Sequence, residues 1–287
     1  MIETKKYLHE FYAVIVIYNQ DLFLSDSFIS LKNSLVNSNF ELDLLVYDNS
    51  KESAFKKDGL EIENLNITYI HNPSNPGVGK AYNVAVEIAS KSNKKWILIL
   101  DQDSKFPIDA INCYVNAVLN YPDIKLFSPL LISKNTIISP CVYKFRRGFA
   151  VKKIHHGIHT LNTYIPINSG LLIDIAVFNK VGGYNENIKL DFSDFFFMSK
   201  LKKVISNFVL LDLTFGHSLS TFDESSNSIE SVQKRYELFC SGGKHSVNSV
   251  IDFCYLFMLV FLRGLNLSFQ FKNAYFLILF YKCFLRK

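Results

Sequence analysis

The run Trp96-Ile97-Leu98-Ile99-Leu100-Asp101-Gln102-Asp103 constrains this chain more than any other stretch. Its apolar part is too short and too rich in β-formers for a globular helix, so it reads as a fully buried strand. The strand then ends in two carboxylates separated by one residue. In an open α/β sheet, ligands bind beyond the carboxyl ends of the strands. Asp101 and Asp103 therefore stand where ligand chemistry is expected. Two carboxylates spaced this way on extended or turning backbone can converge on one hard divalent cation, Mg²⁺ or Mn²⁺. Such an ion keeps waters and takes the rest of its shell from substrate phosphates. The bland alternative is a polar loop with one helix cap.

The same pattern recurs upstream. Phe11 to Tyr18 is a second buried-strand run and ends at Asn19, and a helix is predicted over about 25–37. Glu41 to Tyr47 runs into Asp48-Asn49-Ser50, and Asn66 to Ile70 into His71-Asn72. Strand, polar tip, helix and strand in this order predict an α/β fold, a mostly parallel sheet with helices on both faces. Turn chemistry accounts for Asp48 and Asn49 taken singly. On the same sheet edge as Asp101 and Asp103, they become candidate ligand-binding residues.

Asn72 to Ala89 is a loop entering a helix, punctuated by Pro73, Pro76, Gly77 and Gly79. A P-loop ending at Gly79-Lys80 needs glycine at 74 and Ser or Thr at 81, but Ser74 and Ala81 stand there. A dinucleotide fingerprint from Gly77 fails at Tyr82. The turn can still offer main-chain N–H groups to an anion at the helix start, with Asn83 one turn in. Further on, a helix is predicted over about 109–120 and short strands over 124–129 and 135–143. His155, His156 and His159 lie in an irregular stretch, 144–164, read as solvated loop ahead of a metal site. A small-residue turn precedes a strand ending near Asp174. Gly182-Gly183-Tyr184-Asn185-Glu186 makes a tight turn before a second acidic pair, Asp191 and Asp194. A helix over about 193–203 would use Asp191 or Ser193 as its N-cap and place Asp194 in its first turn. His217 follows the last predicted strand, 209–213.

The C-terminal stretch differs in kind. Phe253 to Leu262 is uncharged and Ala274 to Phe280 is a second apolar block, bracketed by Asp252, Arg263, Lys272 and Lys282. Each block falls short of the ~20 apolar residues that span a bilayer, so amphipathic helices in the membrane interface are expected. A buried hairpin or a homo-oligomer interface is the alternative. Eight of the 26 phenylalanines fall within residues 253–287, and the net charge of +5 is too small to argue for nucleic acid. It suits anionic nucleotides or lipid headgroups. Five scattered cysteines favour a reducing compartment. The polar start, Met1 to Glu10, has no signal-peptide core, so a cytoplasmic location at the inner membrane face is expected.

Taken in order, these features resemble family 2 glycosyltransferases, and within them the bacterial rhamnosyltransferases. The resemblance rests on Tyr18-Asn19, Asp48-Asn49-Ser50, Asn75-Pro76-Gly77 with Ala81 and Asn83, and Trp96 to Ser104. It continues through Ser169-Gly170, Gly182 to Glu186, and Asp191-x-x-Asp194, covering roughly residues 11–217. Asp-Gln-Asp-Ser after the strand leans towards a dTDP-rhamnose donor. Lys200 and Lys202 stand where the family often has arginine, and Cys240-Ser241 where it often has Arg-Asn.

The resemblance implies a GT-A catalytic domain over 1–217, a helical membrane-associating region over 218–287, and an inverting single displacement. Tyr18, Asn19, Asp48, Asn49, Gly77, Asn83, Asp101 and Asp191 would bind substrate, with Asp48 on the base. Asp101, Asp103 and His217 would hold the metal, and Asp194 would be the catalytic base. The donor would be a nucleotide sugar and the acceptor a lipid-linked saccharide. A UDP-hexose donor and a catalytically inactive nucleotide-binding protein are alternatives. A nucleotidyltransferase would need a basic, glycine-rich loop, whereas residues 18–40 hold no glycine and one basic residue, Lys32.

Overall fold

A computed structural model describes residues 9–53, 62–217 and 228–285. The first eight residues and most of the polar 218–231 stretch lie outside them. The first half builds a parallel sheet: β1 (Phe11–Ile17), β2 (Leu42–Asp48), β3 (Leu65–His71) and β4 (Trp96–Asp101), in the order β3-β2-β1-β4. All seven residues of β1 are buried. Alternate β1 residues serve opposite layers, Phe11, Ala13 and Ile15 one core and Tyr12, Val14 and Val16 the other. This is why the run reads as continuously apolar.

Helix α1 (Asp26–Ser38) starts at Ser25, whose side chain accepts from the Phe28 N–H, and buries Phe28, Leu31 and Leu35. It ends at Asn39 in the left-handed region, φ 53°. Helix α2 (Val78–Lys91) buries Ala81, Tyr82, Ala85, Val86 and Ala89 on the opposite layer. Helix α3 (Ala110–Asn120) joins the first layer.

The second half is largely antiparallel. Its strands are β5 (Ser104–Lys105), β6 (Leu126–Ser133), β7 (Thr136–Lys144), β8 (Arg147–Val151), β9 (Gly157–Thr160), β10 (Leu171–Asp174) and β11 (Asn207–His217). β10 pairs antiparallel with both β4 and β6, while β11 runs parallel to β6. The parallel order thus describes the first four strands, and the whole is a mixed sheet flanked by helices, consistent with a GT-A fold. The 144–164 stretch, expected to be irregular, contains β8 and β9. These strands form by pairing with β7 and β11, and they lack an apolar alternation of their own.

Helix α4 (Ile175–Val181) is capped by Asp174, and α5 (Ser193–Leu201) carries Asp194 in its first turn. Neither Asp191 nor Ser193 caps α5. The N-cap position is Phe192, in the left-handed region at φ 71° with no side-chain cap. Its ring is drawn into the C-terminal cluster, 4.7 Å from the Phe239 ring, and tertiary packing overrides capping preference there.

The chain ends in α6 (Ile229–His245), α7 (Val250–Gln270) and α8 (Tyr275–Phe284). Val232, Tyr236, Leu256, Val260 and Phe276 of these helices cluster with Ile188 and Phe192. The first apolar block is therefore part of a helix of 21 residues, which by length and composition is long enough to cross a membrane. The expectation that it is too short to span is corrected. Polar residues such as Asn266 and Ser268 stay helical and extend it past the uncharged run.

Candidate active site

The parallel strands end in register. Ile17 is level with Asp48, Asp48 with His71, and Val16 with Asp101. This alignment places the polar tips on one edge. The Asp101–Ser104 turn is gripped from below by α1. The Ser27 hydroxyl donates to the Asp101 carbonyl and bonds Ser104 through both main-chain groups, and the Ser25 hydroxyl donates to the Gln102 carbonyl at 2.8 Å. Gln102 in turn accepts the Tyr18 N–H at 2.7 Å and ties the β4 tip to the β1 tip. From the other side, the Ser169 and Ser104 hydroxyls bond each other, and Ser169 Oγ accepts the Asp101 N–H at 3.3 Å. Gly170 must lack a side chain: at φ 81° a Cβ would lie 2.6 Å from Pro129.

Asp101 Oδ1 accepts the Tyr82 hydroxyl at 2.9 Å. Burial, then the Asp101 charge, pushes the Tyr82 phenol well above its ordinary value, so it remains a donor. The Tyr82 ring packs edge-on against Tyr184 at 5.1 Å, and the Tyr184 hydroxyl donates to Asn168 Oδ1 at 2.6 Å. The Asn168 main chain then reaches Asp194. Asp194 is half-buried, and its carboxyl is raised to about 6 by burial first and by the Asp101 charge second. Phe195 beside it stacks on Tyr143 of β7 at 4.2 Å, which fixes the start of α5.

The remaining candidates divide. Asp48 is fully buried, with Oδ1 accepting the Ser50 N–H at 2.8 Å and Oδ2 the Tyr69 hydroxyl at 2.5 Å. Asn49 is 3% exposed and its side-chain oxygen has no hydrogen-bond partner among the described residues. A buried orphan acceptor is what a ligand N–H would satisfy. Tyr18 is 45% exposed, and Asn19, at φ 51°, donates its N–H to Ser50 Oγ at 2.8 Å. Asn83 is held by the 182–186 turn: it donates to the Tyr184 carbonyl and Glu186 and accepts the Tyr184 N–H, each bond 2.9–3.0 Å. Gly77 at φ 99° lies against Lys189, whose carbonyl also takes the Val78 N–H at 3.2 Å. The start of α2 thus faces the chain itself. Asp191 faces Arg235 of α6 at 3.7 Å.

Among the described residues no three His, Cys, Asp or Glu side chains gather into a metal-binding group. Asp101 and Asp103 on one clamped, half-exposed turn fit a hard cation that completes its shell with diphosphate oxygens and water. The main chain of His217 lies in register with Ser104, next to that turn. The other histidines are elsewhere: His156 pairs with Asp212 at 3.5 Å, and His159 packs against Tyr164 and Phe208.

Tyr82, Asn168, Ser25 and Ser27 carry no site signal in the sequence, while Gln102 and Tyr184 lie inside the motifs that carry the resemblance. Ser25 opens the helix predicted over 25–37, a cue that speaks only for the helix.

The model for Glycosyl transferase family 2 matches residues 12–164, just over half of the chain and including every strand tip described above except those of β10 and β11. A relative named dTDP-rhamnosyl transferase RfbF, from Shigella flexneri, is 25% identical over 190 residues, 64% of this chain. The match spans 60% of that relative's length. The chain belongs to glycosyl transferase family 2.

Proposed function

We propose that this protein is an inverting glycosyltransferase that moves a sugar from a nucleoside-diphosphate donor to an acceptor hydroxyl. The observation that carries the reading is the convergence of Asp101 at the sheet edge and Asp194 on α5, linked through Tyr82, Tyr184 and Asn168. The donor lies along the strand tips. Its base meets the Asp48-Asn49 tip, where the Asn49 oxygen awaits a donor group, and Tyr18 and Asn19 border it. The β4 turn, held by Ser25 and Ser27, presents Asp101 and Asp103 towards the diphosphate. These two, with His217 alongside, would hold a Mg²⁺ or Mn²⁺, which when bound supplies positive charge to offset the leaving group.

Asp194 accepts the proton of the acceptor hydroxyl as its oxygen attacks the anomeric carbon and the bond to the diphosphate breaks. With a carboxyl near 6, Asp194 is ionised at neutral pH and still a stronger base than an ordinary carboxylate. Desolvation and the neighbouring Asp101 charge supply that basicity.

The finer donor assignment is dTDP-rhamnose, supported by the Asp-Gln-Asp-Ser turn and by the name of the Shigella relative. The acceptor is a saccharide on a membrane lipid, in surface polysaccharide synthesis at the inner face of the cell membrane. Exposed apolar residues on α7 and α8 support it. Incubation with a panel of nucleotide sugars and a lipid-linked acceptor pool, read as nucleoside diphosphate released, tests the reading. Release from dTDP-rhamnose supports it. Release from a UDP-hexose moves the donor, and binding without turnover replaces the enzyme by a nucleotide-binding protein.

A further inference from the structure

We propose that the tip of the β7–β8 hairpin, in the catalytic domain, is a second lipid-contact element continuous with α7. Together they dock the enzyme on an anionic bilayer in one fixed orientation. The inference rests on the reading of the C-terminal helices as membrane-associating and extends it to the catalytic domain.

The tip reads Lys144-Phe145-Arg146-Arg147. Phe145 is 60% exposed, and Phe149 on the same hairpin is also exposed. An aromatic residue at an exposed tip, flanked by exposed Lys144 and Arg147, combines an apolar wedge with cationic charge. The Phe145 ring meets the Tyr255 ring of α7 at 5.2 Å, so hairpin and helix form one surface. On α7 the exposed residues Ile251, Tyr255, Met258 and Leu262 recur at spacings of four and three, one stripe of the helix. The opposite stripe, Leu256, Val260 and Leu267, is buried against the neighbouring helices.

Arg146 locks the two parts together. It is 7% exposed, donates to Asp252 Oδ2 at 2.7 Å, and bonds both the carbonyl and the hydroxyl of Ser246. Its guanidinium lies 4.9 Å from the Phe192 ring, next to the start of α5. The N-terminus of α7 is tied to the hairpin in this way, and the contact of Phe145 with Tyr255 joins the hairpin tip to the exposed stripe.

Charge selects that partner. Residues 250–285 carry Lys272 and Lys282, both exposed, and Arg263, whose guanidinium lies 4.2 Å over the Phe239 ring of α6; their one acid, Asp252, is already bound by Arg146. With Lys144 and Arg147 added, the rim is cationic and matches anionic headgroups. A second copy on a two-fold axis would bring this same cationic rim against itself.

Co-sedimentation of the full chain with phosphatidylcholine vesicles, with and without phosphatidylglycerol, tests the proposal in the absence of donor and acceptor. The wild type is expected to partition onto anionic vesicles, and Phe145→Ser to weaken this about tenfold, the scale of losing one buried phenyl ring. Ile251→Ser should weaken it similarly, and unchanged nucleotide binding verifies folding in both variants. If the wild type binds and Phe145→Ser binds equally well, the hairpin is not a lipid contact and the inference fails alone. If the wild type stays in the supernatant, the membrane reading fails with it. A concentration-dependent dimer abolished by Phe145→Ser, without vesicle binding, would assign the surface to a second copy and overturn the proposal.

Discussion

Tyr82 on α2 donates a hydrogen bond to Asp101 at the end of β4, across two elements that meet through the buried layer between them. The bond fixes one carboxylate oxygen of the turn proposed to face the donor diphosphate. It also starts the chain of contacts that runs through Tyr184 and Asn168 to Asp194. A hydrogen bond to a charged group is typically worth ~1.5–3 kcal/mol. Tyr82→Phe keeps the ring and removes the donor. It is expected to lower kcat/KM about tenfold or more with the fold intact, measured by steady-state kinetics beside a melting curve. Unchanged kinetics would show that Asp101 needs no such restraint.

Asp103→Asn is expected to abolish transfer while leaving the circular dichroism spectrum unchanged, and chelation by EDTA to do the same to the native protein. Two carboxylates on one turn cannot by themselves offset a diphosphate leaving group. Full activity in chelator would show that no cation takes part in the reaction.

Asp191→Asn separates the two acids before α5. Asp191 does not cap the helix, and its carboxylate lies 3.7 Å from Arg235 with both side chains partly buried. The loss expected is about 1 kcal/mol of stability, on the scale of a long, partly solvated pair, with kcat within a few-fold of wild type. Denaturant midpoint and kcat, measured on the same preparation, check this. An inactive but equally stable variant would give Asp191 the chemical role.

Local sequence carries part of this arrangement, and contacts distant in the chain carry the rest. The strand tips Asp48, Asp101 and Asp103 were readable because each closes a run of apolar residues, a local signal. Asp191 and Asp194 stand out as an acidic pair after the glycine turn, and the choice of Asp194 between them comes from the family resemblance. Phe192 as the residue entering α5 was not readable, since its left-handed backbone is held by packing against Phe239 and Arg146, far away in the chain. Asn83 looked like a ligand group at a helix start, yet its partners are Tyr184 and Glu186, a hundred residues on. Ser27 and Tyr82 escaped for the same reason. β8 and β9 exist by pairing with β7 and β11, while their own residues carry no strand pattern.

Asp252→Ala removes the partner of buried Arg146 and is expected to cost ~3 kcal/mol, the low end for breaking a buried pair because the Ser246 bonds remain. Thermal unfolding of the full chain reads this directly. A melting temperature unchanged from wild type would mean that the C-terminal helices are not locked to the hairpin by this pair.

Asp194 is proposed to take the acceptor proton. Its carboxyl is raised to about 6, above the unfolded value, so the ionised form is disfavoured by folding. The native protein binds the proton more tightly than the unfolded chain, and this contribution to stability is complete below the unfolded pKa. It is lost as pH rises through 6. At neutral pH, Asp194→Asn is therefore expected to melt no lower than wild type. The wild-type kcat should fall as pH drops below about 6, where the base becomes protonated. The decisive measurement is dTDP release from dTDP-rhamnose at saturating donor, wild type against Asp194→Asn, with nucleotide affinity measured separately by calorimetry. A loss in kcat of ~10²–10⁴-fold at unchanged donor affinity is expected. An Asp194→Asn enzyme turning over at the wild-type rate would contradict it.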